Sequence, residues 1–278
     1  KRVSGNGCGV AARDVPVMRF LRRFYAAIIF GFLYLPIFVL IVFSFNASKS
    51  RASWEGFTFR WYGALFEDGA ILDALYYTLS IAILAALLAT IIGTLAAFAM
   101  YRGMRPWEKK IVMNLTYLPV LNPDIVTGIS LMLLFIFVKL NLGFTSLLLA
   151  HTVFNVPYVI LTVLPKLRQF DAHLYEAALD LGASPAYAFR RIVLPEILPG
   201  IVTGALFAFT LSIDDFVISF FTTGSGVNNL SILIYSMARR GIHPTINALS
   251  TLLFLTVLLL LLAVNRRVAA SKVKRVRD

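Results

Sequence analysis

Two acids, Asp214 and Asp215, stand side by side in an otherwise apolar stretch, TLSIDDFVISFF, and a third, Asp124, interrupts another long apolar run. A carboxylate at the centre of a membrane-spanning helix costs roughly 2.5–3.5 kcal/mol on insertion scales, so the pair costs about 5–7 kcal/mol. The fourteen Leu, Ile, Val and Phe residues between Ile197 and Phe221 return about 4–8 kcal/mol, at roughly 0.3–0.6 each. A helix so nearly balanced must turn at least one acid toward protein or water, where it can attract a cation. On a continuous helix Ser212, Asp215, Ser219 and Thr222 fall at i, i+3, i+7 and i+10 and form one polar stripe. Asp214 shares its face mainly with Thr210 and apolar neighbours. This spacing marks Asp215, with Asp214, Asp124, Ser212 and Ser219, as a candidate substrate pathway for a positively charged solute. The alternative is an ion pair with another helix or subunit. Pro119 and Pro123 break the run around Asp124, with Asn122 as the expected cap of a helix restarting at Pro123. Asp124 then sits in a first turn, where the helix dipole favours a carboxylate.

Covalent catalysis has no visible machinery in this chain. There is no GxxxxGK[ST] loop to cradle phosphates, no GxSxG elbow and no HExxH helix. His151, His173 and His243 lie in separate segments without metal-ligand spacing, and Cys8 is the single cysteine. The expectation is no catalytic residue, no metal and no cofactor bound by this chain.

A second constellation is mechanical rather than chemical. Glu176 to Pro195 reads EAALDLGASPAYAFRRIVLP. Asp171 is placed to cap a short helix on which Leu174, Ala177, Ala178 and Leu181 recur at i, i+3, i+4 and i+7 as a narrow apolar stripe. Gly182 suits the left-handed residue that ends such a helix. Ser184 and Pro185 supply the cap and first position of the next.

These stretches must be positioned by membrane helices. The chain is 59% apolar with mean hydropathy +0.81, a composition that reads as an all-α polytopic membrane protein. Apolar runs at 24–45, 74–101, 111–138, 140–165, 197 to about 223 and 241–265 predict six transmembrane helices. The expected organisation is a tail at 1–23, a six-helix domain at 24–265 with a polar loop at 166–196, and a basic tail at 266–278. Residues 1–17 have no periodicity and are expected to be poorly ordered. The net charge of +12 excludes nothing alone, but the basic residues fall in the breaks between apolar runs and form no aromatic-interleaved stripe, which argues against nucleic acid. Of the 26 Lys and Arg residues, 20 lie before the first run, at 102–110, at 166–191 or after Asn265. The positive-inside rule then places both termini and the 166–196 loop in the cytoplasm. Trp54, Phe57, Phe59, Trp61 and Tyr62 fall on the outer side, either at lipid headgroup level or against an extracytoplasmic partner. Gly224 to Gly226 predicts a loop and Leu230 to Met237 a short helix, while Gly200 and Gly204 form a GxxxG pair suited to close helix packing.

The EAALDLGASPAYAFRRIVLP run, with Gly six residues after the Glu and Leu-Pro closing it, resembles the EAA loop of ABC importer permeases. NPDIV, LSIDDFVISFFTTG and INALST extend the resemblance over about 24–267 to the permeases of spermidine/putrescine importers. The resemblance implies the type I importer permease fold in a bacterial inner membrane and a coupling role for Leu174, Glu176, Ala177, Ala178, Leu181 and Gly182. It also implies four kinds of neighbour: a dimer of ATP-binding subunits that holds ATP and Mg, a second homologous permease, an extracytoplasmic polyamine-binding protein, and membrane lipid. Importers of other small solutes share much of the pattern. Outside the family, a proton-coupled secondary transporter would use the acids but not the loop, and a structural adaptor the loop but not the acids.

Overall fold

The computed structural model describes residues 16–49, 53–240 and 244–277, and helices dominate them. In chain order these are α1 (Pro16–Phe43), α2 (Arg60–Glu67), α3 (Gly69–Arg102), α4 (Pro106–Leu121), α5 (Asp124–Phe137) and α6 (Phe144–Gln169). They continue with α7 (Ala172–Asp180), α8 (Pro185–Ala188), a π-helical turn (Phe189–Val193), α9 (Leu194–Asp214), α10 (Val217–Thr222), α11 (Leu230–Arg240) and α12 (Pro244–Arg277). Of the segment expected to be poorly ordered, residues 1–15 lie outside the described residues, as does His243, and Pro16 and Val17 already belong to α1.

Four stretches are individually long and apolar enough to cross a membrane: Arg23–Phe43, Gly69–Arg102, Phe144–Gln169 and Pro185–Asp214. The pair α4 and α5 makes a fifth, and α12 opens with a shorter apolar stretch, Pro244–Leu259. Four or five spans are thus long enough by themselves among the described residues, and with the shorter stretch of α12 they are consistent with the six read from the sequence.

The core is the bundle of α3, α6 and α9. Its seam is built from small residues. On α3 the buried positions Ala74, Thr78, Ala82, Ala85, Ala89, Gly93 and Ala97 recur every three or four residues, the spacing of one helix face. In lipid, where apolar burial drives little association, such a seam lets backbones approach and gain dispersion contact. A Cβ added at Gly93 would lie 2.7 Å from Val159 Cβ, and one at Gly204 would meet Thr162 Oγ1 at 2.5 Å. At Gly200 it would meet Lys166 Cγ at 2.7 Å. The GxxxG pair of α9 therefore packs directly on α6.

The third span is broken where its prolines predicted, and the fifth departs from the continuous helix expected. The third bends by 110° between α4 and α5. Pro123 forces the preceding Asn122 into an extended conformation, φ −78° and ψ 145°, so Asn122 ends α4 instead of capping α5. Asp124 does occupy the first turn of α5. The fifth span stops at Asp214. Asp215 turns extended at ψ 126°, and its carboxylate accepts hydrogen bonds from the backbone N–H groups of Ile218 at 3.2 Å and Ser219 at 2.8 Å. A short acidic side chain competes here with helix continuation and caps α10 instead.

Asn46 organises the loop after α1. Its side chain accepts from the N–H groups of Ser48 and Glu55 and donates to Ser53 O, while its own carbonyl accepts from Trp61 Nε1 at 2.7 Å. Trp61 is buried there, and Trp54, Phe57 and Phe59 remain exposed.

Candidate functional site

The Glu176–Pro195 constellation folds as its local signals require. The Asp171 side chain accepts from His173 N at 3.0 Å and caps α7. Gly182 takes φ +85°, and Ser184 Oγ accepts from Tyr187 N at 3.3 Å with Pro185 first in α8. The apolar stripe divides between two environments. Leu174, Ala177 and Leu181 are exposed, Leu181 to 89%. Ala178, with Leu179, packs against the core cluster beneath. Tyr175 is buried and meets Phe98 of α3 at 6.2 Å between ring centroids, and Phe98 in turn meets Phe189 of the π-helical turn at 4.6 Å. Glu176 accepts from Arg102 Nη1 at 3.1 Å. The result is a short, seated helix that offers an apolar outer face to a partner.

Within the membrane the pathway candidates separate into two groups. Ser212, Ser219 and Asp215 belong to a buried network. Asn155 Nδ2 donates to Ser212 Oγ at 2.7 Å, and Asn229 Nδ2 donates to Ser219 Oγ at 2.6 Å. His151 Nε2 lies 2.9 Å from Ser219 Oγ and 3.6 Å from Asp215 Oδ2, and the Asp215 side chain is only 7% exposed. These three residue types form the set used by serine hydrolases, but the geometry excludes that relay. Both Ser219 and Asp215 face the same imidazole nitrogen, whereas the relay needs the carboxylate on Nδ1, and Ser219 is sealed from any substrate.

Asp214 and Asp124 form the second group, and both are exposed. The sequence reading put Asp215 foremost on the assumption of an unbroken helix. The break at Asp215 removes that stripe, turns Asp215 inward to cap α10 and leaves Asp214 outward. On α9 the exposed or half-exposed Thr203, Phe207, Thr210 and Asp214 recur at i, i+4, i+7 and i+11. Tyr158 of α6 meets Phe207 at 5.7 Å and lies within electrostatic reach of Asp124. The α9 face thus combines the Asp214 carboxylate with aromatic surface, a chemistry that attracts cations, and Asp124 is a second exposed carboxylate, on α5. Lipid tails do not solvate a carboxylate, so this face must meet water or another protein chain.

Tyr158, Asn155, Arg102 and Asn229 were not singled out from the sequence. A signal existed for α6, where His151, Asn155, Tyr158 and Thr162 recur at i, i+4, i+7 and i+11 in an apolar span, the same polar period that flagged the fifth.

Comparison with known proteins gives a consistent result. Residues 89–274 match the family described as binding-protein-dependent transport system inner membrane component. The chain is 41% identical over 256 residues to the spermidine/putrescine transport system permease protein PotC of Escherichia coli K12, covering 92% of this chain and 96% of that protein. It is 38% identical over 277 residues to the putrescine transport system permease protein PotI of the same organism, covering 95% and 97%. Among solved structures, a bacterial ABC transporter involved in the import of the acidic polysaccharide alginate superposes with a TM-score of 0.71 at 17% identity, over 92% of this chain and 97% of that one. The MetNI methionine ABC transporter superposes with a TM-score of 0.58 at 22% identity, over 72% and 94%.

Proposed function

This chain belongs to the family of binding-protein-dependent transport system inner membrane components, and on that premise we propose that it forms half of an ATP-driven import path for polyamines. The observation that carries the cationic substrate is that Asp214 of α9 and Asp124 of α5 are each exposed on otherwise apolar helices, Asp214 on the α9 face that carries Phe207, which meets Tyr158. A second, homologous permease chain would face these acids across a water-filled path. A polyammonium solute, delivered by an external binding protein, would exchange hydration for carboxylates and ring faces on the way through. A path must release what it holds, so attraction here is weak and selectivity rests mainly on the binding protein.

The energy source in this reading is a dimer of ATP-binding subunits that carries ATP and Mg and docks on Leu174, Ala177 and Leu181. Glu176, Ala178 and Gly182 shape the helix behind that face. Both termini and the 166–196 loop are cytoplasmic, and the bilayer is the bacterial inner membrane. Reconstitution of this chain with its second permease and ATPase in proteoliposomes tests the reading directly. Uptake of labelled spermidine or putrescine should require ATP on the ATPase side and the binding protein on the other, and should survive a protonophore. Collapse with the protonophore would favour a proton-coupled carrier, and ATP-dependent uptake of a different solute alone would remove the polyamine assignment.

A further inference from the structure

We propose that Arg102 is a positioning residue that clasps the coupling helix α7 to the cytoplasmic end of α3, so that a displacement of α7 is delivered to the core through α3. The proposal rests on the reading of α7 as the coupling element.

Two contacts converge on Arg102, which lies in the last turn of α3, and a third holds its ring partner. Its Nη1 donates to Glu176 Oε1 at 3.1 Å. Its guanidinium carbon stands 4.5 Å over the ring of Tyr175. Tyr175 is itself only 6% exposed and seats against Phe98, one helical turn before Arg102 on the same helix. Two successive residues of α7 are therefore held by two residues of α3 spaced i, i+4, one pair through rings and the other through charge. A guanidinium suits this because its plane stacks on an aromatic face while its edge donates to a carboxylate, which an ammonium does not do at once.

The other oxygen, Glu176 Oε2, lies 3.9 Å from His173 Nδ1, one turn earlier on α7. Both carboxylate oxygens thus face cationic or polar groups of this chain, Arg102 beneath and His173 on the exposed flank of α7. The acid of the EAA run holds the helix in register, and the apolar face is left to meet the partner. An exposed ion pair alone contributes little stability. Its effect is on direction, because α3 packs on both α6 and α9, and a helix fixed to α3 moves the whole bundle, whereas a loosened one absorbs the push.

The test uses the reconstituted transporter in a Cys8→Ser background, with two readouts. The first is solute imported per ATP hydrolysed. The second is the distance distribution between spin labels at Leu95→Cys on α3 and Asp180→Cys on α7. Arg102→Ala should co-purify with the ATPase, lower imported solute per ATP by about fivefold or more, within the usual range of inter-site coupling, and broaden the distance distribution. Arg102→Lys should fall between. Arg102→Glu should be as impaired as the alanine variant and should recover when combined with Glu176→Arg, which no merely structural loss would allow. Normal solute per ATP and an unchanged distribution in Arg102→Ala, or no recovery in the charge-swapped pair, would overturn the proposal. Leu181→Glu leaves the clasp intact and reports on α7 as a docking helix separately. If that variant transports normally the coupling reading fails, while the distance measurement still decides whether Arg102 holds α7.

Discussion

His151 of α6 and Ser219 of α10, 68 residues apart in the chain, meet at 2.9 Å in a site sealed from solvent. Asn229, in the segment before α11, donates to the same hydroxyl at 2.6 Å, and Ser146 Oγ donates to Thr222 O at 2.8 Å close by. The His151 and Ser146 bonds tie the segment after Asp214 back onto α6, and the Asn229 bond ties its two ends to each other. Backbone groups freed at the break are met separately, the N–H groups of Ile218 and Ser219 by the Asp215 carboxylate and the Ile213 carbonyl by Ser231 Oγ at 3.4 Å.

Ser219→Ala should therefore destabilise the protein by about 1–3 kcal/mol, the cost of leaving buried polar partners unsatisfied. Ser236→Ala, which removes only a local bond to Leu233 O, should shift it by less than about 0.5 kcal/mol. Unfolding of the purified chain in detergent gives both values, and equal effects would deny Ser219 its place at the junction.

The small-residue seam makes a steric prediction. Gly93→Val and Gly204→Val push a side chain into Val159 and Thr162 and should cost about 1–3 kcal/mol each. Gly31→Ala, with nothing within 4 Å of the added carbon, should be neutral. Detergent unfolding and the amount of protein inserted in membranes check the contrast.

The neighbouring acids should separate by phenotype. Asp214→Asn removes an outward charge and should lower polyamine uptake by about tenfold, as expected for the loss of a ~1.4 kcal/mol contact, without altering unfolding. Asp215→Asn weakens the cap on Ile218 and Ser219 and should lower stability by about 1 kcal/mol. Uptake and unfolding measured on both variants decide it, and wild-type uptake in the Asp214→Asn, Asp215→Asn double variant would leave the acids purely structural.

Topology is open to chemical labelling. In a Cys8→Ser background, Asn228→Cys, exposed in the loop after Gly226, should react with an impermeant thiol reagent added outside cells. Tyr187→Cys, exposed in α8, should react only after permeabilisation. The reverse pattern would invert the orientation.

The features legible in the sequence are those with local causes. Asp171, Gly182, Ser184 and Pro185 act within four residues of themselves, so their types were enough to place the ends of α7 and the start of α8. Gly200 and Gly204 announced a close crossing, although the helix they meet is a property of the whole bundle. Asp215 is the opposite case. Periodicity presumed that the helix through it continues, but its carboxylate had a competing backbone partner, and the choice between the two depends on His151, Ser219 and Asn229 being brought in by other segments. Arg102 and Glu176 are 74 residues apart, and no pattern within either segment joins them. Long-range pairs of this kind emerge only from packing.

The sharp bend between α4 and α5 bears on how the chain is made. At 16 and 14 residues the two arms reach only ~24 and ~21 Å, short of the ~30 Å of hydrocarbon that a lone segment must cross. Neither arm is a self-sufficient stop-transfer segment, and the 110° angle keeps them from acting as one straight rod. Gly128 of α5 instead lies against Val217, Ile218 and Phe221 of α10, residues that leave the ribosome about ninety positions later. The packing that completes the third span therefore includes a segment made only after it. α3 and α6, at 34 and 26 residues, exceed that thickness on their own, so the third span depends on a later neighbour in a way that they do not.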